Sequence, residues 1–306
     1  MRFNLSTIRL IPVLVTAAVG CWAACGPSLF IGNWLLPSAC AADAEPATLT
    51  LKVGDLERTA LIYAPPASAS AESGSQPRPL VFVFHGHGGT ATNSAKSFGI
   101  QLLWPEAIVV YPQGVPTPGR LTDPEGKRNG WQHAVGDQED RDLKFFDALL
   151  AKLKADDRID NQRIYSMGHS NGGAFTLLLW ANRGEVFAAV GPSGASMSRS
   201  MKFKPLPVIE LAGENDSLVK YAWQQATMEA IKKINGCEQA GKPAGEFCTE
   251  YPSPSGTPFV SYIHPGGHKY PPEASKAFVE FFKAHAKPAA SGGSSEKPAD
   301  KAAQAE

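Results

Sequence analysis

The sequence lacks a charge excess. Its 306 residues carry 29 Lys and Arg against 29 Asp and Glu, with no basic cluster and no acidic block. A nucleic-acid-binding face needs surplus cations, so a polyanionic partner is not expected. The expected partner is a small molecule or a polysaccharide-linked ester. Cysteine is also scarce: of five, Cys21, Cys25 and Cys40 fall in the first forty residues, which leaves too few for a disulfide-stapled scaffold. Long unbroken apolar runs are missing. The stretch up to Ala42 is long enough to span a bilayer, but Gly20, Gly26, Pro27, Gly32 and Pro37 interrupt it, against a permanent anchor. No internal repeat occurs, so a repeat architecture is not expected.

What is present begins with an export pattern. Arg2 and Arg9 precede an apolar run from Ile11 to about Ala24, and Ser38-Ala-Cys-Ala-Ala42 supplies the small residues of a cleavage site. Residues 1–42 are therefore expected to be a signal peptide, with a secreted or periplasmic mature chain. Cys21 and Cys25 follow small residues, but Ala18 and Trp22 stand where a lipidation signal carries an aliphatic residue. Lipid anchoring is the minor alternative. Removal of the signal leaves Cys237 and Cys248, close in sequence and in an oxidising compartment, so a disulfide between them is expected.

The remaining chain, 43% hydrophobic overall, is large enough for one sizeable core over residues 43–286. Ala47–Val53 and Arg58–Tyr63 alternate apolar with polar residues, as paired strands do. Ala64–Arg78 is rich in Pro, Ser and Ala and reads as a surface loop. Short continuous apolar runs follow at Leu80–Phe84, Ala107–Tyr111, Arg163–Met167, Phe187–Val190, Val208–Leu211 and Phe259–Ile263, the pattern of parallel strands buried on both faces. Helical spacing separates them: Leu143, Phe146, Leu149, Leu150 and Leu153 share a face with Asp142 placed to cap it, and Ala174–Ala181, Leu218–Ile231 and Glu273–His285 read as helices. The fold class expected is α/β, with a mainly parallel eight-stranded sheet and helices on both faces. Lys287–Glu306 has no apolar periodicity and is expected to be a disordered tail.

One stretch carries chemistry. The strand Arg163–Met167 runs into Gly168-His-Ser-Asn-Gly172, and a helical run follows. This is the strand–turn–helix setting of a nucleophile elbow, with Ser170 as candidate nucleophile at a helix N-terminus. A serine hydroxyl needs a base, and the base needs an orienting acid. On folds with this elbow the chain order is Ser, acid, His. His268, in the glycine loop Pro265–Pro271, is the candidate base; His264 ends a strand and His285 lies on the last helix. Asp216, after the run Leu206–Leu211, is the candidate acid, with N-capping as its alternative role and Glu214 as its rival.

The oxyanion hole needs two backbone donors. Asn171 N–H, after the nucleophile, is one. His87 N–H in His85-Gly-His-Gly-Gly89 is the other, with Gly88 the alternative. His85-x-His87 also suggests a metal pair, but no third ligand has credible spacing, so no metal and no cofactor is expected. Trp131, in an insertion between strands, is a candidate platform for a sugar or aromatic acyl group. The acidic stretch Asp137–Asp142 reads as a solvated helix entry.

Together the His85-Gly86 loop, Val109-Val-Tyr-Pro-Gln-Gly114, Gly168-His-Ser-Asn-Gly-Gly173, Phe187-Ala-Ala-Val190, Gly213-Glu-Asn-Asp216 and Gly266-Gly-His-Lys-Tyr-Pro271 resemble a bacterial α/β-hydrolase family. That family includes polyhydroxybutyrate depolymerase-like esterases and feruloyl or acetylxylan esterases. The resemblance runs from about Leu80 to Ala284 and implies a serine carboxylic-ester hydrolase. Two departures, Ala212 where the family often has His and Tyr270 where it often has Trp, bear on the pocket rather than on the triad. Competing functions are a peptidase or amidase on the same fold, and a non-catalytic carbohydrate-binding protein.

Overall fold

The apolar runs become the middle of one sheet. A computed structural model describes residues 45–65, 76–156 and 159–288. The expected signal peptide, most of the Pro/Ser/Ala linker and the tail beyond Pro288 lie outside them. Lys287, expected to open the tail, is held: its N–H donates to Gln162 O and its ammonium to the carbonyls of Glu185 and Val186.

The elements in chain order are β1 (Ala47–Val53), β2 (Leu56–Tyr63), β3 (Arg78–Phe84), α1 (Ala91–Phe98), α2 (Ile100–Leu103) and β4 (Ile108–Pro112). A two-residue hairpin pair, β5 (Val115–Pro116) and β6 (Asn129–Gly130), brackets an insertion. Then come α3 (Arg141–Asp156), β7 (Ile159–His169), α4 (Asn171–Arg183), β8 (Ala189–Ser193), β9 (Val208–Gly213), α5 (Tyr221–Ile234), β10 (Lys242–Pro243), β11 (Cys248–Tyr251), β12 (Phe259–His264) and α6 (Ala274–Ala284).

The main sheet runs β1-β2-β4-β3-β7-β8-β9-β12-β11-β10. Its six central strands are parallel, and antiparallel pairs flank them on both sides. The sheet thus has ten strands rather than the expected eight. The additions, β10 and β11, are short edge strands; Lys242, Thr249 and Glu250 give them no apolar run to announce them. Side chains alternate across β3: Leu80, Phe82 and Phe84 join the core under α3, α4 and α5, while Val81 and Val83 join the one under α1 and α6. Both faces are covered, which is why these strands read as unbroken apolar runs.

The expected Cys237–Cys248 disulfide is absent: both are free, buried thiols. Cys237 packs into the core on the α5 face and Cys248 into the core on the α6 face. Proximity in sequence therefore does not bring the sulfurs together. Burial raises both thiol pKa values.

Asp142 does not cap α3. Gln132 does, its Oε1 accepting from the Asp142 and Leu143 amides at 3.1 and 3.2 Å. Asp142 instead accepts from Gln132 N–H at 2.8 Å and pairs with Arg58 at 2.8 Å, both side chains fully buried. The Arg58 guanidinium lies 4.3 Å from the centre of the Phe145 ring. Its pKa is lowered, because burial outweighs the Asp142 charge.

Candidate active site

The elbow is built by close approach. Ser170 takes φ 57°, ψ −121° between β7 and α4, a conformation that costs a non-glycine residue about 1–3 kcal/mol. Two glycines make the turn possible. A Cβ on Gly168 would sit 2.6 Å from the Gly172 backbone, and one on Gly172 would collide with Phe84 O. Ser170 N–H donates to Ser193 O at 2.8 Å, which ties the turn to β8.

Three separate loops converge there. The Ser170 hydroxyl lies 2.8 Å from His268 Nε2 and donates to it, while His268 Nδ1–H donates to Asp216 Oδ2 at 2.7 Å. Asp216 Oδ1 accepts from the Leu218 and Val219 amides, both at 2.9 Å, and Oδ2 also accepts from Gln224 Nε2 at 3.0 Å. Asp216 thus does brace a turn before α5, and it meets His268 with its other oxygen. The rival Glu214 is exposed.

The loops after β9 and β12 are joined by backbone. Glu214 N–H donates to His264 O and Asn215 N–H to Gly266 O, and the Asn215 carboxamide reaches Pro265 O at 2.7 Å. These bonds fix the spacing between Asp216 and His268. His264 stays on the strand side of the loop, its Nδ1 accepting Gly266 N–H at 3.1 Å. His169 lies with its ring centre 4.9 Å from that of His268 and its Nδ1 2.9 Å from Ser193 Oγ. Burial, and then the neighbouring His268, push its pKa down to about 3, so the ring is neutral at working pH.

On the opposite side of Ser170, Asn171 N–H is the first amide of α4 and has no carbonyl partner within its helix. In the loop after β3, Gly88 N–H is engaged by Asn129 O at 2.6 Å and Gly89 N–H by Gly86 O at 2.9 Å, so the alternative donor Gly88 already has a partner. The His87 ring binds Asp123 Oδ2 at 3.0 Å through Nε2. Asp123 also accepts from the Lys127 and Arg128 amides at 3.2 and 2.8 Å. These bonds, the His87 one first, lower its pKa. The loop after β3 is thereby pinned to the insertion between β5 and β6. His85 and His87 do not act as a pair: His85 Nδ1–H donates to Gly86 O at 2.8 Å and its Nε2 accepts Gly114 N–H at 2.9 Å. Among the described residues no group of three His, Cys, Asp or Glu is arranged to hold a metal.

Trp131 is not a substrate platform. It is fully buried, stacks on Phe175, meets Phe84 edge-on, and donates Nε1–H to His85 O at 2.9 Å. Its backbone is clamped by the Asn171 carboxamide, which accepts Trp131 N–H at 2.7 Å and donates to Trp131 O at 3.0 Å. The aromatic at the site is Trp223 on α5, 43% exposed. Together with His87, His133, Leu218 and Val219 it lines a cavity of about 400 Å³ onto which Ser170 and His268 open. No motif in the sequence marks Trp223, which lies within the helical run Leu218–Ile231.

A model of the dienelactone hydrolase family matches residues 67–238. The chain belongs to the dienelactone hydrolase family. Two curated relatives are similar in part. A probable feruloyl esterase C of Aspergillus clavatus is 27% identical over 119 residues, 38% of this chain and 42% of that protein. Feruloyl esterase D of Neurospora crassa is 27% identical over 154 residues, 47% and 52% of the two chains. The chain thus spans about half the length of the curated relatives it matches. Among solved structures, the acetyl xylan esterase from Aspergillus awamori superposes with a TM-score of 0.56 at 16% identity, over 78% of this chain and 99% of that one. At that identity the likeness is one of fold, and it agrees with the α/β-hydrolase fold of this member of the dienelactone hydrolase family. Among its described residues, no helix is long and apolar enough to cross a membrane.

Proposed function

We propose that the chain hydrolyses carboxylic esters through an acyl-enzyme, with Ser170 as nucleophile, His268 as base and Asp216 as orienting acid. The observation that carries this is the unbroken chain of hydrogen bonds from Ser170 through His268 to Asp216, opening onto a cavity. Ser170 Oγ attacks the ester carbonyl and gives its proton to His268 Nε2. The imidazolium faces the Asp216 carboxylate, which stabilises the new charge. The carbonyl electron pair collects on an oxygen held by the amides of Asn171 and His87, with the positive end of α4 behind it. The bond to the alcohol then breaks, and the alcohol leaves with the proton from His268. Water, deprotonated by His268, releases the acid and restores Ser170. Every proton moves between protein groups, substrate and water, so the proposed cycle calls on no cofactor.

The names of the relatives make feruloyl and acetyl esters the first substrates to try. The N-terminal pattern of charge, apolar run and small residues supports work in the periplasm or outside the cell. Two measurements test the reading: turnover of p-nitrophenyl acetate and methyl ferulate, and covalent labelling by a fluorophosphonate. Both should be lost in Ser170→Ala with the melting temperature kept. Turnover or labelling that persists in the purified variant rules out Ser170.

A further inference from the structure

The cavity at Ser170 has a neighbour across Trp223. This second cavity, of about 620 Å³, lies between α5 and the segment 196–203 that follows β8. The two share Ser196, Ser198, Met201 and Trp223 as lining residues and so adjoin. Lining the second cavity alone are Met197, Phe203, Ala226, Ala230 and Ile234, with Thr227 and Arg199 as its polar members. The one charged side chain in that lining is the exposed Arg199. The walls are anchored. Met197 N–H donates to Thr227 Oγ1 on α5 at 2.9 Å, and Phe203 packs on Trp180, which itself donates to Lys204 O at 3.0 Å.

We infer that this second cavity is a subsite for a flexible apolar arm of the substrate, an unbranched alkyl chain too long for the first cavity and running over Trp223. The inference rests on the esterase reading and deepens it. An apolar cavity adjoining that of a reactive serine gains by excluding water along an alkyl chain, and methionine walls adapt to such a chain without a fixed ring geometry. A sugar arm would want hydrogen-bonding side chains. Ser196 and Ser198 stand at the join of the two cavities, and the hydroxyl that lines the second cavity alone, Thr227, is already occupied by Met197 N–H and by Trp223 O. An anionic arm would meet only Arg199.

The test compares kcat/KM along two homologous series, p-nitrophenyl acetate to octanoate and ethyl to octyl acetate. The wild type is set beside Ala230→Phe, which fills the second cavity, and Ala226→Phe, a substitution at an exposed position on α5 that lines it. In the wild type at least one series should rise with chain length. In either folded variant the ratio of longest to shortest ester should fall by about tenfold or more, since each apolar group refused by a pocket costs about that much. A wild type that hydrolyses the short esters with a profile that is flat or falling in both series overturns the subsite alone, as does a rising profile that both folded variants keep. A wild type that hydrolyses no ester and takes no fluorophosphonate overturns the esterase reading with it.

Discussion

The Asp216 carboxylate divides its two oxygens between structure and His268. Oδ1 takes the Leu218 and Val219 amides, and Oδ2 takes His268 Nδ1–H and the Gln224 amide. The two duties separate by substitution. Asp216→Asn keeps an oxygen for the turn but offers no carboxylate to a protonated His268, so kcat on p-nitrophenyl acetate should fall by about 10⁴-fold with little change in melting temperature. Asp216→Ala should lose the same activity and also about 1 kcal/mol or more of stability, because the half-buried Leu218 amide and the buried Val219 amide lose their acceptor. Equal melting temperatures for the two variants would show that the turn does not depend on Oδ1.

Ser170 was legible because the elbow is local: strand, Gly-x-Ser-x-Gly and helix lie within a score of residues. His268 and Asp216 were legible through chain order and loop position, the latter against a capping role that turns out to coexist with its contact to His268. Trp131 misled because Asn129-Gly-Trp-Gln132 looks like an exposed loop. What covers its ring is Phe84, His85 and Phe175, and the Asn171 carboxamide, forty residues away, holds its backbone. Cys237 and Cys248 misled for a related reason, since sequence distance does not say which face of the sheet a side chain joins. The Asp123–His87 contact and Trp223 carry no local pattern and emerge only when the insertion and α5 are set beside Ser170.

His85 makes the fold acid-sensitive. Burial pushes its pKa from 6.5 down to about 4, and both ring nitrogens are engaged in the neutral form. The unfolded chain therefore binds this proton more readily than the folded one. The contribution is complete above about pH 6.5 and is lost as pH falls toward 4, at about 1.4 kcal/mol per pH unit within that window. Urea unfolding at pH 7, 6, 5 and 4 should show the slope of stability against pH reduced by up to one proton in His85→Gln. Parallel slopes in wild type and variant would contradict the assignment.

The unpaired thiols give a redox prediction. A Cys237–Cys248 bond would close a loop of about a dozen residues and contribute about 3 kcal/mol. With both thiols free, adding a reductant should leave the melting temperature of the protein unchanged. A drop of several degrees on reduction would mean that the two cysteines find each other in spite of their opposite faces.

Arg58 and Asp142 join β2 to the first turn of α3 by an ion pair with no exposed side-chain surface on either partner. Two of the Arg58 nitrogens have no hydrogen-bond partner among the described residues, so Asp142, the Gln113 carbonyl at 3.3 Å and the face of Phe145 are what offset its desolvation. Asp142→Ala strands that charge and also frees the Gln132 amide from its acceptor. It should cost about 3–5 kcal/mol in urea unfolding. The pair is not the same as its parts. Arg58→Met with Asp142→Leu removes both charges at similar volume and should recover most of that loss, because the desolvation of each ion disappears with it. Both variants leave the Gln132 amide without its acceptor, and Gln132 follows Trp131, whose backbone the Asn171 carboxamide clamps. The kcat of the two should therefore fall below that of the wild type by similar factors, at a temperature where both remain folded, while their stabilities differ. A wild-type kcat in both variants would confine Asp142 to holding the fold and remove it from the support of Asn171.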